Sequence, residues 1–193
     1  LGDVYKRQLL ITAPISWNSV RSVWVAIRKV KVRFLYVQQL PVILIYVMEK
    51  LKKSGVNWIA FGIEAANATV RDNVQIGFYQ SDIYTALSTV NEACINVLGN
   101  YIFGLPEDDL ESMKETLDLA VELNAEFANF YSAMAYPGSQ LYTDAVKNGA
   151  PLPSDWSGYS QHSVDTLPLP TNYLSGPEVL RFRDEAFQTY FSS

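Results

Sequence analysis

Apolar and polar positions follow two different periods along this chain from residue 47 onward. Three short runs, at 56–63, 97–103 and 127–135, are almost continuously apolar and have the length of strands. Such runs are typical of strands that are covered on both faces. Longer segments with helical spacing lie between them, and this alternation predicts parallel strands joined by right-handed crossover connections. The expected fold class is therefore α/β.

Helix boundaries can be predicted from the caps and stops around the longer segments. The predicted N-caps are Ser81, Asp108 or Asp109, Ser139 at the start of a short helix, and Ser175 in a capping box with Glu178. The predicted stops are Gly55, which follows Lys52 and Lys53, and Gly149. The acidic run 107–109 is interpreted as helix N-terminal charge rather than an acid–base pair. The residues predicted to share an apolar helix face are Ile83, Leu87, Val90 and Cys94; Leu110, Met113, Leu117 and Ala120; and Val179, Phe182, Ala186 and Tyr190.

Composition narrows the range of partners and compartments. The 193 residues carry a formal net charge of −5, which argues against nucleic acid because phosphate binding needs a basic face. The apolar stretch at 34–47 is too short and too interrupted by polar residues to span a membrane. One cysteine, Cys94, predicts a reducing compartment and no cluster, and one histidine, His162, gives no basis for a histidine metal site. We therefore expect a cytoplasmic protein that binds neither nucleic acid nor membrane.

The first 46 residues differ from the rest of the chain. No acidic residue lies between Asp3 and Glu49, and the six letters of residues 3–8 match a translated sequencing-library adapter. We interpret residues 1–46 as this scar followed by an unreliable, partly out-of-frame segment, with a short polar N-terminus as the alternative for 3–8. Residues 47–150 are predicted to form the core, and residues 151–193 a truncated post-core loop and helix.

Four residues at or near the predicted strand ends are candidates for ligand contacts. Glu64 directly follows the first strand, where its carboxylate could accept hydrogen bonds from a vicinal diol; a surface or helix-terminal charge is the alternative. Asn100 lies inside an apolar strand, so its amide is expected to bind either a ligand or neighbouring backbone. Gly104 implies either a positive φ or the close approach of a planar ligand. Met134 is expected either to line a lumen or to pack in the core.

Three motifs, "GIEAAN", "GNYIFGLPEDD" and "YPGSQLY", follow one another in this order. Together they resemble the C-terminal half of the radical S-adenosylmethionine (radical SAM) core, in the subgroup that often carries a cobalamin-binding domain upstream. The likeness extends over residues 51–191. It implies the C-terminal half of a partial (β/α)6 TIM-like barrel, with the three strands as its fourth, fifth and sixth, followed by a C-terminal loop and helix.

The resemblance implies roles for five residues. Glu64 would hold the ribose of S-adenosylmethionine, and Asn100 would face the same nucleoside. Ile102 and Gly104 would pack along the adenine, and the backbone at Met134 would meet it. The resemblance implies no catalytic residue and no metal ligand within this chain.

Two departures from the family pattern limit what the chain can do alone. The CxxxCxxC loop that holds the family's [4Fe–4S] cluster is absent, and one cysteine cannot replace it. Ile76 stands where relatives usually carry a basic residue, and losing such a contact to the methionine carboxylate would cost about 1.5–3 kcal/mol. We therefore expect an inactive fragment that contributes nucleoside contacts and part of a substrate lid.

The intact parent would use its reduced cluster on S-adenosylmethionine, either to form a 5′-deoxyadenosyl radical or to transfer methyl by way of cobalamin. A small-molecule substrate and an electron donor such as flavodoxin or ferredoxin would be its partners, and a methyltransferase or a cyclase its activity. The alternative function is a non-catalytic α/β binding or scaffold domain.

Overall fold

The computed structural model describes residues 8–11, 34–37, 45–73 and 80–193. The strands in these ranges are β1 (Gln8–Ile11), β2 (Phe34–Val37), β3 (Trp58–Glu64), β4 (Asn96–Phe103) and β5 (Phe127–Ser132). The helices are α1 (Ile45–Lys53), α2 (Ala68–Asn73), α3 (Gln80–Glu92), α4 (Leu110–Leu123), α5 (Gln140–Asn148) and α6 (Gly176–Ser192), with a 3-10 turn at Trp156–Tyr159. Ile76 and most of residues 1–46, including the adapter match at 3–7, lie outside the described residues.

The five strands form one sheet in the order β1-β2-β3-β4-β5. β1 pairs with β2, and β2 with β3, in parallel, so that Phe34 lies opposite both Gln8 and Trp58. Helices separate β3 from β4 and β4 from β5, as crossover connections require. The α/β class with parallel strands is confirmed, whereas the partial (β/α)6 barrel stays a prediction. The three domain boundaries also stay predictions. β1 and β2 lie within residues 1–46, the segment that was expected to be unreliable.

The chain divides into two compact units. Of the described residues, unit 1 comprises 8–11, 34–37, 45–63, 80–100 and 123–128, and unit 2 comprises 64–73, 101–122 and 129–193. In unit 1, α1 packs on α3, and the Nζ atom of Lys52 donates to Asn57 Oδ1 at 2.9 Å and to the Cys94 carbonyl. Gly55, with φ +95°, ends α1 as predicted.

Unit 2 has an aromatic core between the ends of two strands and α6. Phe130 stacks with Tyr101 at 5.4 Å and with Phe103 at 5.5 Å between ring centroids. Rings of α6 meet this stack edge-on, through Phe182, Phe187 and Tyr190. The capping box of α6 is confirmed, because Glu178 accepts hydrogen bonds from both the N–H and the Oγ of Ser175. Ser139 caps α5 and Gly149 closes it, also as predicted.

Three positions in the predicted helices differ from expectation. Cys94 is exposed rather than buried, because α3 ends at Glu92 and Cys94 lies in the following turn with φ +55°. Leu110 is 57% exposed, since it is the first residue of α4 and the buried face begins one turn later. Ser81 lies inside α3, which begins at Gln80. Within the described ranges, no helix combines the length and the apolar character that crossing a bilayer requires.

Candidate functional site

The segments that follow β3, β4 and β5 meet in unit 2. Ala65, Leu105 and Ala133, each within two residues of its strand, form one buried cluster with Val70 of α2, and Ile102 packs against this cluster. The N–H of Ala133 donates to the Phe103 carbonyl at 2.8 Å, which ties the end of β5 to the end of β4. The carboxyl ends of the three strands therefore gather at one edge, where α/β folds bind ligands.

Glu64 lies at this edge, as the last residue of β3. Its φ of +67° is in the left-handed region, which is uncommon for a residue with a side chain and often marks a functional position. Burial raises the pKa of its carboxyl group from the ordinary 4.5 to about 7. Among the described residues, no donor forms a hydrogen bond to this carboxylate. Glu64 is thus a partly buried acceptor at the end of β3.

β4 and β5 present two different faces in unit 2. Tyr101, Phe103 and Phe130 point toward α6, so the alternation of side chains along a strand assigns Ile102 and Tyr131 to the opposite face. Both of these residues are only partly buried. The Tyr131 phenol lies within electrostatic range of Glu64, whose negative charge contributes to raising the pKa of the phenol after the larger effect of burial. Ile102 and Tyr131 therefore lie on the face that α6 leaves uncovered.

Gly104 begins the loop after β4 and has φ +81°, which confirms a backbone reason for glycine here. The carboxylate of Asp108 accepts hydrogen bonds from the N–H groups of Gly104 and Leu105, at 3.0 and 2.9 Å, and from Ser112 Oγ at 2.7 Å. Burial raises the pKa of Asp108, and these three hydrogen bonds oppose the shift. Asp108 thus holds the loop after β4 through hydrogen bonds and is not simply a charge at the helix terminus. Asp109 caps α4 by accepting a hydrogen bond from the Ser112 N–H.

Met134 and Asn100 have partners within the chain. Met134 is 4% exposed, and its carbonyl accepts a hydrogen bond from the Tyr136 N–H at 3.0 Å. Asn100 belongs to unit 1, where its Nδ2 donates to the Phe61 carbonyl at 3.2 Å. A backbone partner for Asn100 was one of the two alternatives, and it is confirmed. The roles of Glu64, Asn100, Ile102, Gly104 and Met134 toward a nucleoside stay predictions.

The post-core loop is tied to β5 through Gln161. Its side-chain amide accepts from the Ser132 N–H at 3.0 Å and donates to the Ser132 carbonyl at 2.9 Å, so it completes hydrogen bonds at the strand edge. Its own carbonyl accepts from the buried guanidinium of Arg183. The sequence carried little signal for this residue, since a loop glutamine has no distinguishing pattern.

An exposed aromatic stack begins beside Gln161. The Tyr136 ring lies 6.1 Å from Tyr159, which lies 5.8 Å from Trp156, and Trp156 is 77% exposed. Tyr136 also contributes to the raised pKa of Tyr131, so the stack begins beside the polar residues at the strand ends.

An acidic cleft of about 280 Å³ lies at the start of α4. Its lining includes Asn67, Glu107, Asp109, Glu115 and Tyr173. Asn67 Nδ2 donates to Glu115 at 2.9 Å, and Glu107 accepts from Asn172 at 2.8 Å, so the cleft charges are engaged in loop contacts. In the part of the chain that the structure describes, no group of three or more His, Cys, Asp or Glu side chains is arranged to hold a metal ion.

Known proteins are similar to this chain over part of their length. No protein-family model matches the chain. An uncharacterized methyltransferase of Pyrococcus horikoshii is 28% identical over 145 residues, which cover 75% of this chain and 31% of that protein. The heme chaperone HemW of Bacillus subtilis is 27% identical over 149 residues, covering 74% of this chain and 39% of that protein. The chain thus spans only about a third of the length of these relatives.

Two solved structures are similar to the chain in fold. Coproporphyrinogen III oxidase (HemN) of Escherichia coli, a radical SAM enzyme, superposes with a TM-score of 0.66 over 96% of this chain and 40% of its own, at 16% identity. Methylornithine synthase (PylB) superposes with a TM-score of 0.56 over 65% of this chain and 38% of its own, at 14% identity.

The chain thus shares its fold with a radical SAM enzyme of known structure, in agreement with the resemblance of its three motifs. The residues present do not fit the [4Fe–4S] cluster of such enzymes, because the sequence has one cysteine. To a nucleoside they offer one acceptor at the gathered strand ends, the Glu64 carboxylate, which accepts no hydrogen bond from the described residues.

Proposed function

We propose that this chain forms the nucleoside-contacting part of a longer radical SAM enzyme, with Glu64 accepting hydrogen bonds from the ribose hydroxyls of S-adenosylmethionine. The observation that carries the proposal is the Glu64 carboxylate, which is desolvated, accepts no hydrogen bond from the described residues and lies at a strand end. Burying a carboxylate without donors is costly, and a vicinal diol supplies two.

Ile102, Gly104 and the backbone at Met134 are proposed to contact the adenine. Ile102 lies on the face that α6 leaves uncovered, and it packs against the residues that follow the three strands. Asn100 is included on the resemblance alone.

The post-core loop is proposed to form part of a substrate lid. Gln161 anchors the loop to β5, and the Tyr136–Tyr159–Trp156 stack offers exposed ring surface to a small molecule. Methyl transfer, with or without cobalamin, and cyclisation are both open to the intact enzyme. The cluster, an electron donor such as flavodoxin or ferredoxin, and a cytoplasmic location belong to that same proposal.

Nucleoside titrations of the 193-residue chain test the role of Glu64. 5′-Deoxyadenosine, which has the diol, should bind about tenfold more tightly than 2′,5′-dideoxyadenosine, which lacks one hydroxyl. Glu64→Gln should abolish this preference, while Glu111→Gln, an exposed change of the same kind on α4, should retain it. An equal affinity of the wild-type chain for both nucleosides would contradict the proposal.

The pH dependence gives an independent check. Because the ionised carboxylate is the better acceptor and its pKa is about 7, affinity for 5′-deoxyadenosine should rise about tenfold between pH 6 and pH 8. A flat profile in the wild-type chain would argue against Glu64 as the ribose acceptor.

The alternative, a non-catalytic α/β scaffold, predicts no nucleoside binding at all. The gene of origin also discriminates between the two functions. A CxxxCxxC motif encoded upstream in the same reading frame supports the enzyme, and an open reading frame without it supports the scaffold.

A further inference from the structure

The aromatic stack on the post-core loop lies open to solvent. Trp156 is 77% exposed and Tyr136 is 46% exposed, and both rings lie beside the partly buried ring of Tyr159. The planes of Trp156 and Tyr159 are inclined by 48°, so these two rings do not pack face to face. Adjacent exposed rings, unlike single ones, often mark the place where a ligand binds.

Two carboxylates flank the 3-10 turn that carries Trp156 and Tyr159. Asp155 Oδ1 accepts a hydrogen bond from Ser157 Oγ at 2.6 Å, and Asp165 Oδ2 lies 3.1 Å from the same oxygen. A hydroxyl has one proton, so Ser157 donates to only one of the two carboxylates at a time. Hydrogen bonds from the side chain and the N–H of Ser157 lower the pKa of Asp155, which keeps it ionised at neutral pH. Negative charge is therefore concentrated next to the stack.

The sequence around the stack contains no lysine or arginine that would offset this charge. None occurs between Lys147 and Arg181, whereas Asp155, Asp165 and Glu178 all lie in that span. An anionic ligand would thus be repelled by this segment, and a cationic ligand would be attracted to it.

The 3-10 turn is held in place by contacts within the chain. Gly158 is buried, and a Cβ there would lie 2.6 Å from the Cβ of Pro153, so the turn packs closely against the preceding chain. The Gly158 carbonyl accepts a hydrogen bond from the Leu167 N–H at 3.0 Å. At the other end of the stack, Gln161 Nε2 donates to the Tyr136 hydroxyl at 3.5 Å. A surface that is already ordered loses little conformational entropy when a ligand binds.

We infer that the Tyr136–Tyr159–Trp156 stack and the carboxylates of Asp155 and Asp165 bind the cationic group of an amine or quaternary ammonium substrate. The faces of tryptophan and tyrosine rings attract organic cations, and this interaction is the usual basis of quaternary ammonium recognition. The carboxylates add the opposite charge. Assigning this cation to the substrate rests on the proposed function, in which the post-core loop forms part of the substrate lid.

The stack begins near the strand ends that carry the candidate site. Tyr136 and Glu64 both lie within electrostatic range of the Tyr131 phenol. A substrate held at the stack would therefore lie beside a nucleoside held by Glu64, and a reaction between two bound molecules requires such proximity.

Two probes of nearly the same shape but different charge test the site. Choline carries an ammonium nitrogen where the neutral alcohol 3,3-dimethylbutan-1-ol carries a carbon. In NMR titrations of the 193-residue chain, choline should bind about fivefold to tenfold more tightly than the alcohol. Equal affinity for the two probes, tighter binding of the alcohol, or no binding of choline would overturn the inference.

Substitutions locate the choline site. Trp156→Leu keeps an apolar side chain but removes the ring, so it should weaken choline binding about twofold to fivefold and leave the alcohol within about twofold. Asp165→Asn should weaken choline binding by a similar factor. Tyr173→Leu is the matched control, because Tyr173 is 64% exposed and lines the acidic cleft; it should leave choline binding unchanged. A loss of choline binding in Tyr173→Leu but not in Trp156→Leu would place the cation in the acidic cleft and overturn the inference.

The outcomes separate this inference from the proposed function. Trp156→Leu should leave the affinity for 5′-deoxyadenosine unchanged, and Glu64→Gln should leave the preference for choline unchanged. A wild-type chain that prefers 5′-deoxyadenosine to 2′,5′-dideoxyadenosine but does not prefer choline to the alcohol would overturn this inference alone. The reverse pattern would overturn the role of Glu64 and support the cation site.

Discussion

The side chain of Val179 occupies the space beside Gly104: its Cγ1 lies 2.5 Å from the point where a Cβ on residue 104 would be. Gly104 also has φ +81°, so a side chain there would meet both a strained backbone and an occupied space. The approach of α6 to the loop after β4 thus depends on the absence of one carbon atom.

Gly104→Ala should destabilise the chain by about 2–4 kcal/mol, from about 1–2 kcal/mol for the left-handed backbone and the remainder from overpacking against Val179. Gly149→Ala is the matched control, since it has φ +66° but no atom within 4 Å of its added Cβ; it should cost about 1–2 kcal/mol. Urea unfolding of both variants measures the difference. Equal destabilisation would mean that the Val179 contact relaxes freely.

Glu64→Gln should change the pH dependence of stability. The folded-state pKa of Glu64, about 7, exceeds the ordinary 4.5, so the folded chain binds this proton more tightly than the unfolded chain. Stability from this group is therefore fully present below pH 4.5 and falls as pH rises to about 7. Glutamine does not ionise, so the variant does not lose stability as the pH rises. Glu64→Gln should therefore be more stable than wild type by about 2–3 kcal/mol at pH 8, with little difference near pH 4.

Urea unfolding at several pH values provides the measurement. Glu111→Gln controls for the removal of one negative charge at an exposed site. A difference between wild type and Glu64→Gln that is constant from pH 4 to pH 8 would contradict burial as the cause of the shift.

Asp108→Ala should cost about 3 kcal/mol, because it leaves the N–H groups of Gly104 and Leu105 and the hydroxyl of Ser112 without their acceptor. Asp109→Ala, which removes only the cap of α4, should cost about 1 kcal/mol. Thermal or urea unfolding ranks the two variants. A larger loss of stability in Asp109→Ala than in Asp108→Ala would show that the cap of α4 stabilises this segment more than the hydrogen bonds of Asp108 to the loop.

Gln161→Ala should loosen the post-core loop at its attachment to β5. The Ser132 N–H loses its acceptor, and its hydrogen exchange should become about tenfold faster, as one lost hydrogen bond implies. His162→Ala, at the exposed neighbouring position, should leave that exchange rate unchanged. Unaltered exchange at Ser132 in Gln161→Ala would mean that other contacts hold the loop.

Much of this architecture could be predicted from local sequence. The apolar runs fixed the three main strands, because a strand buried on both faces needs continuous apolar residues. Ser139, Gly149 and the Ser175–Glu178 box set the ends of α5 and α6, because caps act within one helical turn. The same locality led to the error at Cys94, since helical spacing continued past Glu92, where the helix itself ended.

The candidate site depended on contacts that the sequence does not display. Position after a strand singled out Glu64, but its raised pKa arises from burial, which requires the tertiary structure. Asp108 was interpreted as one helix charge among three, and only the fold shows that its carboxylate binds the Gly104 loop. The pairing of Arg183 is likewise decided in three dimensions, because Arg183 reaches Gln161, 22 residues away in the chain. Sequence thus determined the elements and the strand ends, whereas side-chain burial and long-range partners, which depend on packing between distant segments, decided the chemistry.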